Sequence, residues 1–212
     1  LETGADRSID DVPFAEITRL LCAAYGRGAV NTVSWHPQNP ESGASAWDGK
    51  TSTAVSSILP GGANHAQFRL WLDRLAGFFV GLKSADGTCV PVLFRPFHEH
   101  TGSGFWWGEA QCTPDEYKAL WRFTVEYLRD VKGVHNLLYV YSPDLYRDAE
   151  HYTERYPGDE WVDVLGLDAY HRPQDWDFLS GGERMLSTLQ RLGHEHGKPT
   201  AFTETGLEGI PD

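Results

Sequence analysis

Val90-Pro91-Val92-Leu93-Phe94-Arg95-Pro96-Phe97-His98-Glu99-His100-Thr101-Gly102-Ser103-Gly104-Phe105-Trp106-Trp107-Gly108 begins as one kind of segment and ends as another. The run 90–94 is apolar without alternation, the pattern of a strand covered on both faces of a parallel sheet. Arg95, His98, Glu99 and His100 arrive where such a strand leaves the sheet, and a glycine-punctuated loop with Phe105, Trp106 and Trp107 follows. An acid, two imidazoles, a guanidinium and three aromatic rings at a strand's C-terminal end read as a site rather than a scaffold.

Four further strands are expected, at 29–35, 136–141, 162–167 and 200–203. Each ends in polar residues: Trp35-His36-Pro37, Ser142-Pro143-Asp144, Asp168-Ala169-Tyr170-His171 and Glu204-Thr205-Gly206. Helical periodicity fills the intervals. Phe14, Ile17, Leu20, Leu21 and Ala24 form a stripe, with Asp11 as its cap and Pro13 in the first turn. A second helix covers about 64–83, and Thr113-Pro114-Asp115-Glu116 is a capping box opening a third to about 132. A short irregular helical stretch spans 148–156, and the last helix, 182–196, is closed by Gly197 and Pro199. Residues 41–63, rich in Ser, Gly, Ala and Thr and carrying Trp47, read as a long loop lining a site.

Strands alternating with helices, too far apart for hairpins, give an α/β fold with a parallel sheet. No G-x-G-x-x-G follows a strand, which disfavours a nucleotide-binding open sheet. A barrel gathers five strand ends around one axis, and the barrel is the expected architecture.

The chain has 212 residues, enough for one domain, with 18 basic and 30 acidic side chains. That balance argues against nucleic acid and anionic membranes as partners. The three cysteines, Cys22, Cys89 and Cys112, lack metal-ligand spacing, and their odd number excludes a fully paired framework within the chain. No stretch approaches a membrane span. No signal peptide is visible, and with Leu1 rather than Met as first residue that absence carries no information.

Glu99 and Glu204 are the pair on which chemistry can be built. Two carboxyls flanking a bond serve as acid and nucleophile in glycoside hydrolysis, provided one stays protonated and the other ionised. Arg95, His98, Asp168 and Tyr170 are available to set that difference. Strand parity puts Arg95 and Glu99 on one face, and Asp168 and Tyr170 on one face, if neither strand is bulged. A rival reading is a metal site drawn from His36, His98, Glu99, His100, Asp168 and His171. Trp35, Trp47, Trp106, Trp107 and Trp176 lie in or beside loops on the functional side and are candidate stacking surfaces.

Arg95-Pro96-Phe97-His98-Glu99 followed by Gly104-Phe105-Trp106-Trp107-Gly108 resembles the signature of glycoside hydrolase family 26, best known for endo-β-1,4-mannanases. Trp35-His36-Pro37 with Asn39-Pro40, Tyr141-Ser142-Pro143, Asp168-Ala169-Tyr170 and Thr203-Glu204-Thr205-Gly206 follow in the family's order and extend the resemblance over nearly the whole chain. The resemblance implies a (β/α)8 TIM barrel, retaining chemistry on mannan-type polysaccharides, and no metal or other cofactor. It makes Glu99 the acid/base and Glu204 the nucleophile. It gives His36, His98, Trp106 and Trp107 to sugar binding, Arg95 and Tyr170 to orienting the nucleophile, and Asp168 to fixing Tyr170 or its neighbours. Related members act on mixed-linkage β-glucan or β-1,3-xylan, so these substrates remain open, as does a non-catalytic glycan-binding relative. A secreted, periplasmic or cell-surface location is also implied. Against the family pattern, only strands three to seven are visible, so 1–212 is expected to be one catalytic domain lacking strands one, two and eight.

Overall fold

A computed structural model describes residues 1–172 and 178–207; Trp176 lies outside the described residues. Five strands, β1 (Asn31–Trp35), β2 (Val92–Pro96), β3 (Leu137–Tyr141), β4 (Val164–His171) and β5 (Thr200–Leu207), form one sheet in sequence order, and every neighbouring pair is parallel. All five expected strands are present. The last two run through their polar residues, four positions beyond the expected ends at 167 and 203.

The helices are α1 (Phe14–Gly26), α2 (Ala54–Ile58), α3 (His65–Gly81), α4 (Pro114–Glu126), α5 (Ala149–Thr153) and α6 (Phe178–His196). α2 corrects the reading of 41–63 as one loop: Ala54, Val55 and Ile58 are buried, which stabilises a single turn that local propensity does not announce. The expected Asp11 cap is also corrected. Asp11 has φ 60, and Pro13 stands at the N-cap of α1 without a side-chain bond. At α4 the capping box forms as read: Glu116 N donates to Thr113 Oγ1 at 3.2 Å, and Thr113 N donates to Glu116 Oε2 at 2.8 Å. Thr113→Ala should therefore cost about 1 kcal/mol and lower the thermal midpoint by roughly 2–4 °C in a melting experiment.

The core lies between sheet and helices. Phe94 of β2 faces α3, its ring 5.0 Å from Phe79, and Tyr141 of β3 faces α4, 5.7 Å from Trp121. Alternation turns Arg95 to the opposite face, in register with Ser34. Lower on that inner face, Thr32, Leu93 and Leu138 are in register, and Leu138 is 46 % exposed. In a closed barrel this layer would be filled by side chains from opposing strands. Here β1 and β5 are outer strands, α1 buries no residue, and the arrangement is part of a barrel. The three cysteines are unpaired. No helix among the described residues is long and apolar enough to cross a membrane.

Candidate active site

Beyond Pro96 the chain leaves extended geometry abruptly. Phe97 has φ 50 and Glu99 φ 54, both in the left-handed region that costs a non-glycine residue about 1–3 kcal/mol. The loop is held where it is strained. Glu99 N donates to Ser142 O at 2.9 Å, Tyr117 OH to Phe97 O at 2.8 Å, and Trp107 Nε1 to His98 O at 2.8 Å. The parity argument for Arg95 and Glu99 assumed a regular strand, and this turn removes that assumption.

Arg95, only 2 % exposed, joins three strand ends. Its Nε donates to Ser142 Oγ at 3.1 Å after β3, Nη1 to Glu204 Oε1 at 2.6 Å on β5, and Nη2 to Asp168 Oδ2 on β4. The planar guanidinium can serve three directions at once, which an ammonium cannot. Tyr170 OH donates to the other Glu204 oxygen at 3.0 Å, so both oxygens of Glu204 have a donor. The β4–β5 register shifts between Leu167 and Asp168, where their partners are Phe202 and Glu204. The extra residue, Thr203, places its Oγ1 2.6 Å from Asp168 Oδ1 and 3.0 Å from Leu167 O. This bulge brings Glu204 level with Asp168, a re-aiming common beside functional sites.

Glu99 faces this cluster from β2's end. Oxygens of Glu99, Asp168 and Glu204 all lie within 4.8 Å of one another. Burial pushes the Glu99 carboxyl up to about 7, with the neighbouring charges of Asp144 and Glu204 adding to the push. His36 and His98 meet edge to face with centroids 4.6 Å apart, and burial holds both imidazoles below their ordinary range, His98 well below. They are therefore neutral rings that can exchange hydrogen bonds with hydroxyl groups. His98 Nδ1 is buried without a partner among the described residues.

Other expectations for the site are corrected. Trp106 and Trp107 are fully buried, so neither offers a face for stacking. They pack around Phe97, and Trp106 Nε1 donates to Pro37 O at 2.9 Å; the ring pair is the floor under the loop. The exposed aromatic face here is Trp47, 54 % exposed and stacked on His36 at 5.4 Å. Of the residues in the metal reading, Glu99 and Asp168 converge with Glu204, whereas His100 is fully buried between the Tyr117 and Tyr141 rings, 4.4 Å and 4.6 Å away. Sequence reasoning named Ser142 and Thr203 only within motifs and gave Asp144 and Thr101 no role; all four hold the site's principal groups.

A parallel α/β sheet with a carboxylate pair and an arginine hub toward the C-terminal ends of its strands is the arrangement from which parallel barrels build active sites. The family model "Glycosyl hydrolase family 26" matches residues 11–182. The chain belongs to glycosyl hydrolase family 26. A mannan endo-1,4-beta-mannosidase of Bifidobacterium adolescentis is 39 % identical over 98 % of this chain and 21 % of its own length. One from Bacillus subtilis strain 168 is 39 % identical over 88 % of this chain and 49 % of its own. The solved structure of a beta-mannanase of this family from Bacteroides ovatus superposes with a TM-score of 0.96 at 46 % identity, covering 100 % of this chain and 61 % of that one. The chain thus spans between about a fifth and about half of these curated relatives' length.

Proposed function

We propose that the chain carries the catalytic centre of a retaining hydrolase of β-1,4-mannosidic bonds. Glu204 attacks the anomeric carbon as the glycosidic C–O bond breaks, and Glu99 gives its proton to the leaving oxygen. Glu99, now a carboxylate, then takes a proton from water; the water oxygen attacks the same carbon, and Glu204 is released. The observation that carries this reading is the 4.8 Å limit on the oxygens of Glu99 and Glu204. Carboxyls this close stand nearer to the about 5–5.5 Å of retaining enzymes than to the roughly 6.5–9.5 Å that an inverting enzyme leaves for water.

Arg95 and Tyr170 orient Glu204, and Asp168 fixes Arg95 from the other side. His36 and His98 bind sugar hydroxyls, and Trp47 offers the stacking face. All these roles use side chains of this chain alone, so hydrolysis is expected to survive a chelator. The five strands correspond to the third to seventh of an eight-stranded barrel, a reading supported by the two outer strands and the partly open inner face. Action on a polysaccharide implies a secreted, periplasmic or cell-surface location.

Product analysis on mannan, lichenan and β-1,3-xylan, with the anomeric configuration followed by NMR, tests the proposal. Retained products from mannan are expected. Inverted products would remove the mechanism, and preference for lichenan or xylan the substrate. Binding of mannan without products would mark a glycan-binding relative instead. Because Glu99 must be protonated for the first step, kcat/KM on a manno-oligosaccharide should fall as pH rises through about 7. A rate flat to pH 9 would remove Glu99 as the acid.

A further inference from the structure

We propose that Asp144 is a positioning residue for Glu99: its bond to Thr101 fixes the turn that carries Glu99, and its carboxylate charge helps to hold the Glu99 proton in place. This rests on Glu99 being the proton donor.

The geometry comes from two loops locked together. Ser142 and Asp144 follow β3, and residues 99–102 follow β2. Glu99 N donates to Ser142 O at 2.9 Å, and Thr101 Oγ1 donates to Asp144 Oδ1. Gly102 N closes the turn on Glu99 O at 3.2 Å. A Cβ placed on Gly102 would come within 2.6 Å of Asp144 Oδ2, so the carboxylate lies directly against the glycine backbone. Two side-by-side attachments thus hold the segment in which Glu99 has φ 54. Strained geometry of this kind persists only where its surroundings over-determine it.

The electrostatics add a second link. Glu99 is faced by Arg95 from β2, Asp144 after β3, Asp168 and Tyr170 from β4, Arg172 after β4, and Glu204 from β5. Arg95 and Arg172 favour loss of its proton; after burial itself, Asp144 is the strongest influence favouring retention, ahead of Glu204. Arg95 binds Glu204 directly and offsets its charge. Asp144 is held by a neutral hydroxyl instead, so its charge acts on Glu99 without such an offset. Burial pushes Asp144 itself up to about 6 with a contribution from Glu109, while the Thr101 hydroxyl and the Gly102 backbone oppose that rise. Near neutral pH Asp144 is therefore mostly charged.

Asp144→Asn keeps an acceptor for Thr101 and removes the charge. In the full chain it should move the alkaline limb of kcat/KM about one pH unit lower, with the thermal midpoint little changed. Thr101→Val removes the donor that favours the Asp144 anion and should move the limb the same way by less, while also lowering kcat as the turn loosens. An unmoved limb in folded Asp144→Asn overturns the proposal; should that variant fail to fold, an unmoved limb in Thr101→Val does so. The Glu99 carboxyl can also be followed directly by carbon-13 NMR titration, without turnover. If it titrates lower in Asp144→Asn, the coupling of the two carboxyls is real; Glu99→Gln hydrolysing mannan as well as the parent would instead remove Glu99 as the proton donor and leave that coupling standing.

Discussion

Glu204→Ala is expected to abolish mannan hydrolysis, with kcat falling at least about 10⁴-fold. The size follows from geometry. Both oxygens of Glu204 are engaged, by Arg95 at 2.6 Å and Tyr170 at 3.0 Å, and those donors fix the direction in which it presents an electron pair. The other carboxylate that Arg95 binds cannot take its place. Asp168 is 1 % exposed, and its two oxygens are already taken by Arg95 and Thr203. The fold should tolerate the change, because Arg95 keeps Asp168 and Ser142 as partners. A small anion such as azide, filling the space of the lost carboxylate, should restore turnover of an activated aryl mannoside. The product would be a glycosyl azide of inverted configuration, since one displacement has replaced two. Full activity in Glu204→Ala would exclude it as nucleophile. Loss of activity together with loss of cooperative unfolding would make the variant uninformative about chemistry, so the melting curve belongs with the assay.

The same residues show what a one-dimensional reading reaches. Strand and helix periodicities carry the fold: β2 was legible because 92–96 is apolar and then abruptly charged, and α4 because its cap is a four-residue motif with its own hydrogen-bond logic. Glu99 and Glu204 were legible because each stands where an apolar run gives way to polar residues. The bulge at Thr203 was not, because Thr-Glu-Thr reads as uninterrupted strand and the extra residue is defined only against its partner Asp168. The left-handed turn at Phe97 and Glu99 was hidden too, since neither residue favours that region and tertiary bonds impose it. Trp106 and Trp107 were misread because sequence places them in a loop on the functional side. It does not say which face of a loop packs inward, and the Trp106 Nε1 bond to Pro37 O decides that at a distance of 69 residues. Asp144 escaped notice because its partner Thr101 lies across two strand ends, 43 positions away.

Arg95→Met should be the most destabilising substitution in the site, at about 3–5 kcal/mol, a large fraction of a stability of roughly 5–15 kcal/mol. Methionine fills much of the space of the arginine stem, so the loss is not one of volume. It is the stranding of Asp168, which is 1 % exposed and whose carboxyl burial already pushes up to about 8 against the pull of Arg95; without the guanidinium it must take up a proton or stay charged in the interior, while Ser142 loses the donor on its hydroxyl. Urea unfolding should show the midpoint fall at unchanged slope. Arg95→Lys should lose less, because a charge remains, yet one ammonium cannot reach Ser142, Asp168 and Glu204 in the directions that Nε, Nη2 and Nη1 do. Its stability should recover more than its activity, since Glu204 would lose the fixed donor at 2.6 Å. The double variant Arg95→Met with Asp168→Asn separates the two roles. Removing the stranded carboxyl should return much of the stability, because a buried pair lost together costs far less than one partner lost alone. It should return none of the rate, because Glu204 is still unoriented. If Arg95→Met alone costs under about 1 kcal/mol, the Arg95–Asp168 contact is not the buried ion pair that ties β2 to β4.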